Sequence, residues 1–181
     1  HISSKVGVFV IALLMLLLPS CSTVKWQMVM DGEEVSLDWP PPPNPIKVSF
    51  LGSLKAFRPS GESLFSLLFG KSDDGEILKP MSLAVGADGR IAVSDLQKKG
   101  VHLFIPYIQK HRLLLQAGKS RLASPVSVVF DANLNLYIAD SVLQKVFLFD
   151  ATGAFLRVLD RAGNSPFLRP AGLAFDVQND L

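Results

Sequence analysis

The chain has one cysteine in 181 residues. A lone thiol excludes an internal disulfide framework and any zinc site built from several thiolates. Net charge is scarce as well. Eighteen Lys and Arg against sixteen Asp and Glu leave a formal +2, too little for a nucleic-acid footprint even with a pI near 8.8. The three histidines, His1, His102 and His111, include no pair at metal-ligand spacing, and no nucleophile elbow or Ser-His-Asp grouping is present. The longest apolar run, Val6–Leu18, has thirteen residues, short of the roughly 20 that a membrane-spanning helix needs. What the chain does have is 49% hydrophobic residues. That excludes a disordered chain, and the length fits one domain.

The Val6–Leu18 run follows Lys5 and precedes small residues, the layout of a signal-peptide core. Leu18-Pro19-Ser20-Cys21 then resembles the bacterial lipobox, with Pro19 its least typical member. The resemblance implies cleavage between Ser20 and Cys21, lipid on Cys21, and anchorage to a bilayer. Several acyl chains hold a protein stably, since each buried methylene contributes about 0.8 kcal/mol. Ser22 stands where some bacteria read an aspartate as an inner-membrane mark, so the resemblance implies an outer-membrane lipoprotein facing the periplasm or cell surface. Residues 1–20 are thus expected to be a signal peptide. A first residue other than Met leads us to expect that the extreme N-terminus is missing. Removing Lys5 with the signal brings the net charge to about +1, which carries no message about partners.

Residues 21–45 end in Trp39-Pro40-Pro41-Pro42-Pro43-Asn44-Pro45. Consecutive prolines fix φ and remove donors, so a lipid-anchored, extended polyproline tether is expected here, outside any sheet. Trp39 is expected to pack this segment against the domain that follows.

From residue 46 onward the chain repeats itself. Pro80, Pro125 and Pro170 are spaced by 45 and again by 45, as are Asp95 and Asp140, and Gly118 and Gly163. Laying 80–124 on 125–169 without a gap gives 12 identities in 45 positions. Short apolar runs, interrupted by turn residues such as Asp88-Gly89 and Asn133, read as four antiparallel strands per unit. That is the size of one β-propeller blade. The fold class is therefore all-β, with about three blades visible: repeats at 80–124, 125–169 and the start of another at 170–181, preceded by a half repeat at 46–79. In that half repeat, Val48–Gly52 and Phe65–Ser72 are expected as the third and fourth strands, and Ser63–Phe69 is the best helical candidate. Gly70-Lys71-Ser72 and Gly118-Lys119-Ser120 lack the spacing of a phosphate loop and read as inter-blade turns.

The pattern Pro80-Met-Ser-Leu-Ala-Val with Asp88-Gly89 and Ile91-Ala-Val-Ser-Asp95, repeated as Pro125-Val-Ser-Val-Val-Phe with Leu136-Tyr-Ile-Ala-Asp140 and Val146-Phe-Leu-Phe-Asp150, resembles the NHL-repeat propellers. Leu134 departs from it, standing where a turn glycine belongs. The resemblance implies a six-bladed lipoprotein, of which 181 residues would be a fragment.

Asp95 and Asp140 each end an equivalent strand. Facing a central channel they could bind a cation, and as strand-end carboxylates they would cap backbone amides; the capping role is the expected one. His102 aligns with Phe147 and is expected to pack, and His111, within Gln109-Lys-His-Arg112, to lie in a solvated basic loop. No metal or cofactor is expected. The function that fits is a lipid-anchored cell-envelope module that binds or scaffolds a protein, without a catalytic set and without nucleic acid. The alternative is a metal-dependent propeller enzyme, lactonase-like or lyase-like, with its ligands in further blades.

Overall fold

The computed structural model describes residues 24–32, 37–61, 75–176 and 178–181. Four N-terminal strands, β1 (Trp26–Asp31), β2 (Asp38–Trp39), β3 (Val48–Ser49) and β4 (Ser53–Pro59), form two antiparallel ribbons, β1 with β4 and β2 with β3. Then come β5 (Pro80–Val85), β6 (Ile91–Asp95), β7 (Gly100–Ile105) and β8 (Lys110–Leu114). They form one antiparallel sheet in chain order. A two-residue-per-strand hairpin, β9 (Gln116–Ala117) with β10 (Ser120–Arg121), leads to the next sheet: β11 (Pro125–Phe130), β12 (Leu136–Asp140), β13 (Lys145–Phe149) and β14 (Phe155–Leu159). A second small hairpin, β15 (Arg161–Ala162) with β16 (Ser165–Pro166), repeats the first 45 residues later. These two sheets are consecutive four-stranded blades of a β-propeller.

The blades stack face to face. In an antiparallel sheet directly opposed residues share a face, and Val128, Ile138 and Phe147 are opposed in one row, Leu136 and Phe149 in the next. This face of blade two packs on Ala84, Ala92, Val101, Leu103, Ile105 and Leu114 of blade one in a single core. Small residues on the inner strands of blade one let the sheets approach, and large ones across from them fill the gap. Every residue of β7 is buried, since it has a sheet on each side. That is why its sequence is apolar apart from the buried His102. A polar contact repeats along the stack. Ser82 Oγ accepts from Val128 N–H at 3.2 Å, and Ser127 Oγ accepts from Leu173 N–H at 3.1 Å.

The other face of blade one is covered by the β1–β4 ribbon. Phe57, Val93 and Phe104 form its core, with Trp26, Leu54, Ile77 and Ile91 packed around them. Here the structure corrects the tether. Trp26–Asp31 is a sheet strand, because its bonding partner Ser53–Pro59 lies across a loop, where no local signal points to it. Lys47 N–H donates to Trp39 O at 2.8 Å, so the chain reverses through the prolines instead of running straight. Trp39 is 68% exposed; Trp26 does the packing. Within Val48–Gly52 only Val48–Ser49 is strand, paired with Asp38–Trp39. Ser63–Phe69 and Phe65–Ser72 lie outside the described residues.

Candidate functional site

Asp95 and Asp140 occupy the same place in the two blades, and both are fully buried. Asp95 accepts backbone N–H bonds from Leu78 (2.6 Å), Lys79 (3.2 Å), Gln97 (2.9 Å) and Lys98 (3.0 Å). Asp140 accepts from Ala123 (2.7 Å), Ser124 (3.0 Å), Val142 (3.1 Å) and Leu143 (3.0 Å). Each carboxylate thus ties the chain entering its blade to the turn leaving the second strand. Burial works against the charge on Asp95, but donors from Lys98, Leu78, Lys79 and Gln97 outweigh it and hold the carboxyl below its ordinary value. Pro80 lies opposite Asp95 and Pro125 opposite Asp140, each followed by a bulge. Proline is tolerated at this first strand position because it has no N–H to leave without a partner. Pro170 is placed the same way by sequence, but no strand is formed around it among the described residues.

One turn design recurs at the rim. Asp131, Asp150 and Asp176 each accept two backbone N–H bonds on Oδ1 from the turn they open. The left-handed residues are Leu134 (φ 64°), Gly153 (φ 80°) and Asn179 (φ 65°). Asn133 therefore supplies an N–H to Asp131, while Leu134 takes the conformation a glycine would take. In blade one Gly86 stands where Asp131 stands in blade two. The cap moves to Asp88, which accepts from Arg90 N–H at 3.2 Å, and Gly89 is left-handed at φ 81°. A side chain at Gly86 would collide with the stem of Arg90. Arg90 is only 2% exposed. It pairs with Asp88 through Nε and Nη2, donates Nη1 to Ala151 O at 2.6 Å, and lies 5.9 Å over the Phe130 ring. The hydrogen-bonded pair lowers the carboxyl and raises the guanidinium. Arg112 Nη1 donates to Thr152 O at 2.7 Å, so two arginines of blade one grip one turn of blade two. Sequence reasoning missed Arg90, Asp131, Asp150 and Asp176; the Asp131–Asp176 spacing of 45 was a usable signal.

The histidines need the largest correction. His111 is 7% exposed and lies in β8, not in a solvated loop. Strand alternation turns Lys110 and Arg112 outward and His111 inward. His102 is fully buried, and its Nδ1 lies 3.0 Å from His111 Nε2. The imidazole of His102 also reaches Asp95, Nε2 to Oδ2 at 3.8 Å. Phe57 stacks on His111 (centroids 5.0 Å) and Trp26 tilts against it (4.7 Å). The pair that linear spacing set apart is brought together by the β7–β8 ladder, in which Phe104 opposes His111 and His102 opposes Leu113. Among the described residues no group of three or more His, Cys, Asp or Glu is arranged to hold a metal. Ser20 and Cys21 lie outside the described residues.

No protein-family model matches the chain, and no curated protein matches it. Among solved structures, the chain is similar to Kuenenia stuttgartiensis hydrazine synthase, at 13% identity and TM-score 0.45, over 57% of this chain and 28% of that one. It is also similar to a luciferin-regenerating enzyme, at 18% identity and TM-score 0.37, over 47% and 31%. It thus spans less than a third of either structure. These likenesses are too loose to carry an argument, and the propeller assignment rests on the two blades themselves.

Proposed function

We propose that this chain is a lipid-anchored β-propeller of the NHL-repeat type, held at the cell envelope through Cys21, that binds or scaffolds a partner protein with its rim turns. The observation that carries this reading is the build of the rim. Turns β5–β6, β7–β8, β11–β12 and β13–β14 share one end of the stacked antiparallel blades, where Arg90 and Arg112 bind one blade's rim to the next. Rigid turns of this kind bind at low entropic cost. On that rim, the 3-10 turn Pro106–Ile108 presents Tyr107 and Ile108, 69% and 49% exposed. An exposed aromatic beside an aliphatic on a rigid turn is the kind of anchor that carries binding energy. The repeated aspartates, meanwhile, are engaged with backbone. The anchor itself is supported by Val6–Leu18 and Leu18–Cys21 in the sequence.

The test places a photo-crosslinking residue at Tyr107 in cells. The proposal expects a discrete protein adduct that is lost, together with lipid labelling and membrane association, in Cys21→Ser. No adduct at Tyr107, or membrane association unchanged by Cys21→Ser, would contradict it.

A further inference from the structure

We propose that the hairpin over residues 37–51 is a membrane-docking finger, which seats its apolar side chains in the headgroup layer of an anionic bilayer. Its two short strands, β2 and β3, pair Asp38 with Ser49 and Trp39 with Val48. Leu37, Trp39, Ile46, Val48, Phe50 and Leu51 are all exposed on it, Leu51 by 91%. The tip runs Pro40-Pro41-Pro42-Pro43-Asn44-Pro45, in which Asn44 alone carries a backbone N–H. An ordinary loop would lose water from several unpaired N–H groups on entering a bilayer surface, whereas this tip has almost none to desolvate. Its carbonyls stay within reach of water at headgroup depth. Trp39, an aromatic ring with one polar N–H, is the kind of side chain that settles at the boundary between headgroups and acyl chains. The hairpin is too short and too irregular to cross the hydrocarbon, so the contact is interfacial.

The place of the finger in the fold supplies the charge. Trp26 N–H donates to Gln109 O, which sets the Trp26–Pro59 end of the β1–β4 ribbon beside the β7–β8 turn. The finger leaves the ribbon at its other end, where Asp31 pairs with Ser53. The β6–β7 turn and the β9–β10 hairpin lie at that same end, where Lys79, Lys99, Lys119 and Arg121 are exposed. Asp31 and Asp160 there are paired with Lys55 and Arg161, and Asp95 and Asp140 are engaged with backbone donors. The acids beside the finger are Asp38, half-buried, and in the sequence Glu33 and Glu34. Attraction to an anionic surface therefore comes from the blade-end cations, and salt screens it. The lipid proposed on Cys21 joins at the Trp26 end of β1, so the finger is a second contact and does not depend on the first.

Trp39 reports the contact directly. The full chain carrying Cys21→Ser, in which attached lipid plays no part, is mixed with vesicles of phosphatidylcholine, with or without an equal share of phosphatidylglycerol. Tryptophan emission is followed, with lipids brominated just below the headgroup as quenchers. The expected result is a blue shift and quenching on the mixed vesicles, both absent in Trp39→Phe, which keeps Trp26. Ile46→Asp with Leu51→Asp should weaken the vesicle affinity of this response about tenfold. Lys99→Glu with Lys119→Glu should remove the preference for phosphatidylglycerol. All the substituted side chains are exposed, so the variants keep the fold. Val6–Leu18 can also bind vesicles, but it holds no tryptophan and is common to every form. Trp39 emission left red and unquenched would overturn the finger, and that is the result a hairpin serving a protein partner would give. A response unchanged in Ile46→Asp with Leu51→Asp, or a phosphatidylglycerol preference unchanged by the charge reversals, would overturn it as well. Lipid labelling at Cys21 tests the anchor alone, and its failure would leave this result standing.

Discussion

Blade one and blade two have the same plan but differ where each meets its neighbour. Both carry a buried strand-end aspartate with four backbone donors, a serine Oγ that accepts from the next unit, and a glycine in the small hairpin. These identical features hold a blade to itself or to its successor. At 102 and 147, by contrast, blade one has a histidine where blade two has a phenylalanine. Phe147 packs into the inter-blade core, whereas His102 faces a two-stranded ribbon and a second histidine. The rim differs too. Arg90 bonds to a cap at Asp88, and its counterpart Asn135 bonds to a cap at Asp131. The same turn is closed by an aspartate at either of two positions. The repeat thus fixes a geometry that more than one residue set can supply, and the departures mark where the two blades have different neighbours.

Truncation at the inter-blade core should have the largest effect. Phe147→Ala removes a fully buried ring from the joint between the blades. It should cost about 4 kcal/mol in urea unfolding, within the usual range for buried Phe to Ala. A loss below about 1 kcal/mol would mean that the blades do not share a core.

The aspartates come next. Asp95→Asn and Asp140→Asn should each cost about 3 kcal/mol, since charge-assisted bonds to backbone are lost and buried amides are left poorly matched. Similar losses from the two would show the caps to be equivalent; a loss at one alone would not. The pH dependence sharpens this for Asp95. Its folded value lies below the unfolded one. Its contribution is therefore present above the ordinary aspartate range, near pH 3.9, and is lost as pH falls through the depressed folded value. Acid titration of stability should show that limb in the parent and not in Asp95→Asn.

Much of this was legible in the chain. The 45-residue spacing of Pro80, Pro125 and Pro170 announced the blades, and Asp95 and Asp140 stood out at matching strand ends. Turn chemistry at Asp88-Gly89 was read directly, because glycine at positive φ is a local signal. The β1–β4 pairing was hidden because register between segments more than twenty residues apart is set by the sheet they cover, not by local pattern. His111 was hidden by its neighbours. Two exposed basic residues suggested a solvated loop, yet with an inward residue between them they describe one strand. Its alignment with Leu156 in β14 was the available clue. Arg90 carries no local signal, since the carbonyl it bonds lies 61 residues away.

The smallest effect bears on whether units 80–124 and 125–169 are successive blades joined by a contact repeated at the same step. Ser82→Ala removes the acceptor of Val128 N–H, and Ser127→Ala that of Leu173 N–H. Each loss is worth about 1 kcal/mol, or roughly fivefold in amide exchange. Exchange of the Val128 amide should be faster in Ser82→Ala with Leu173 unchanged, and the converse in Ser127→Ala. Equal exchange at both amides in both variants would contradict the stacking of the blades.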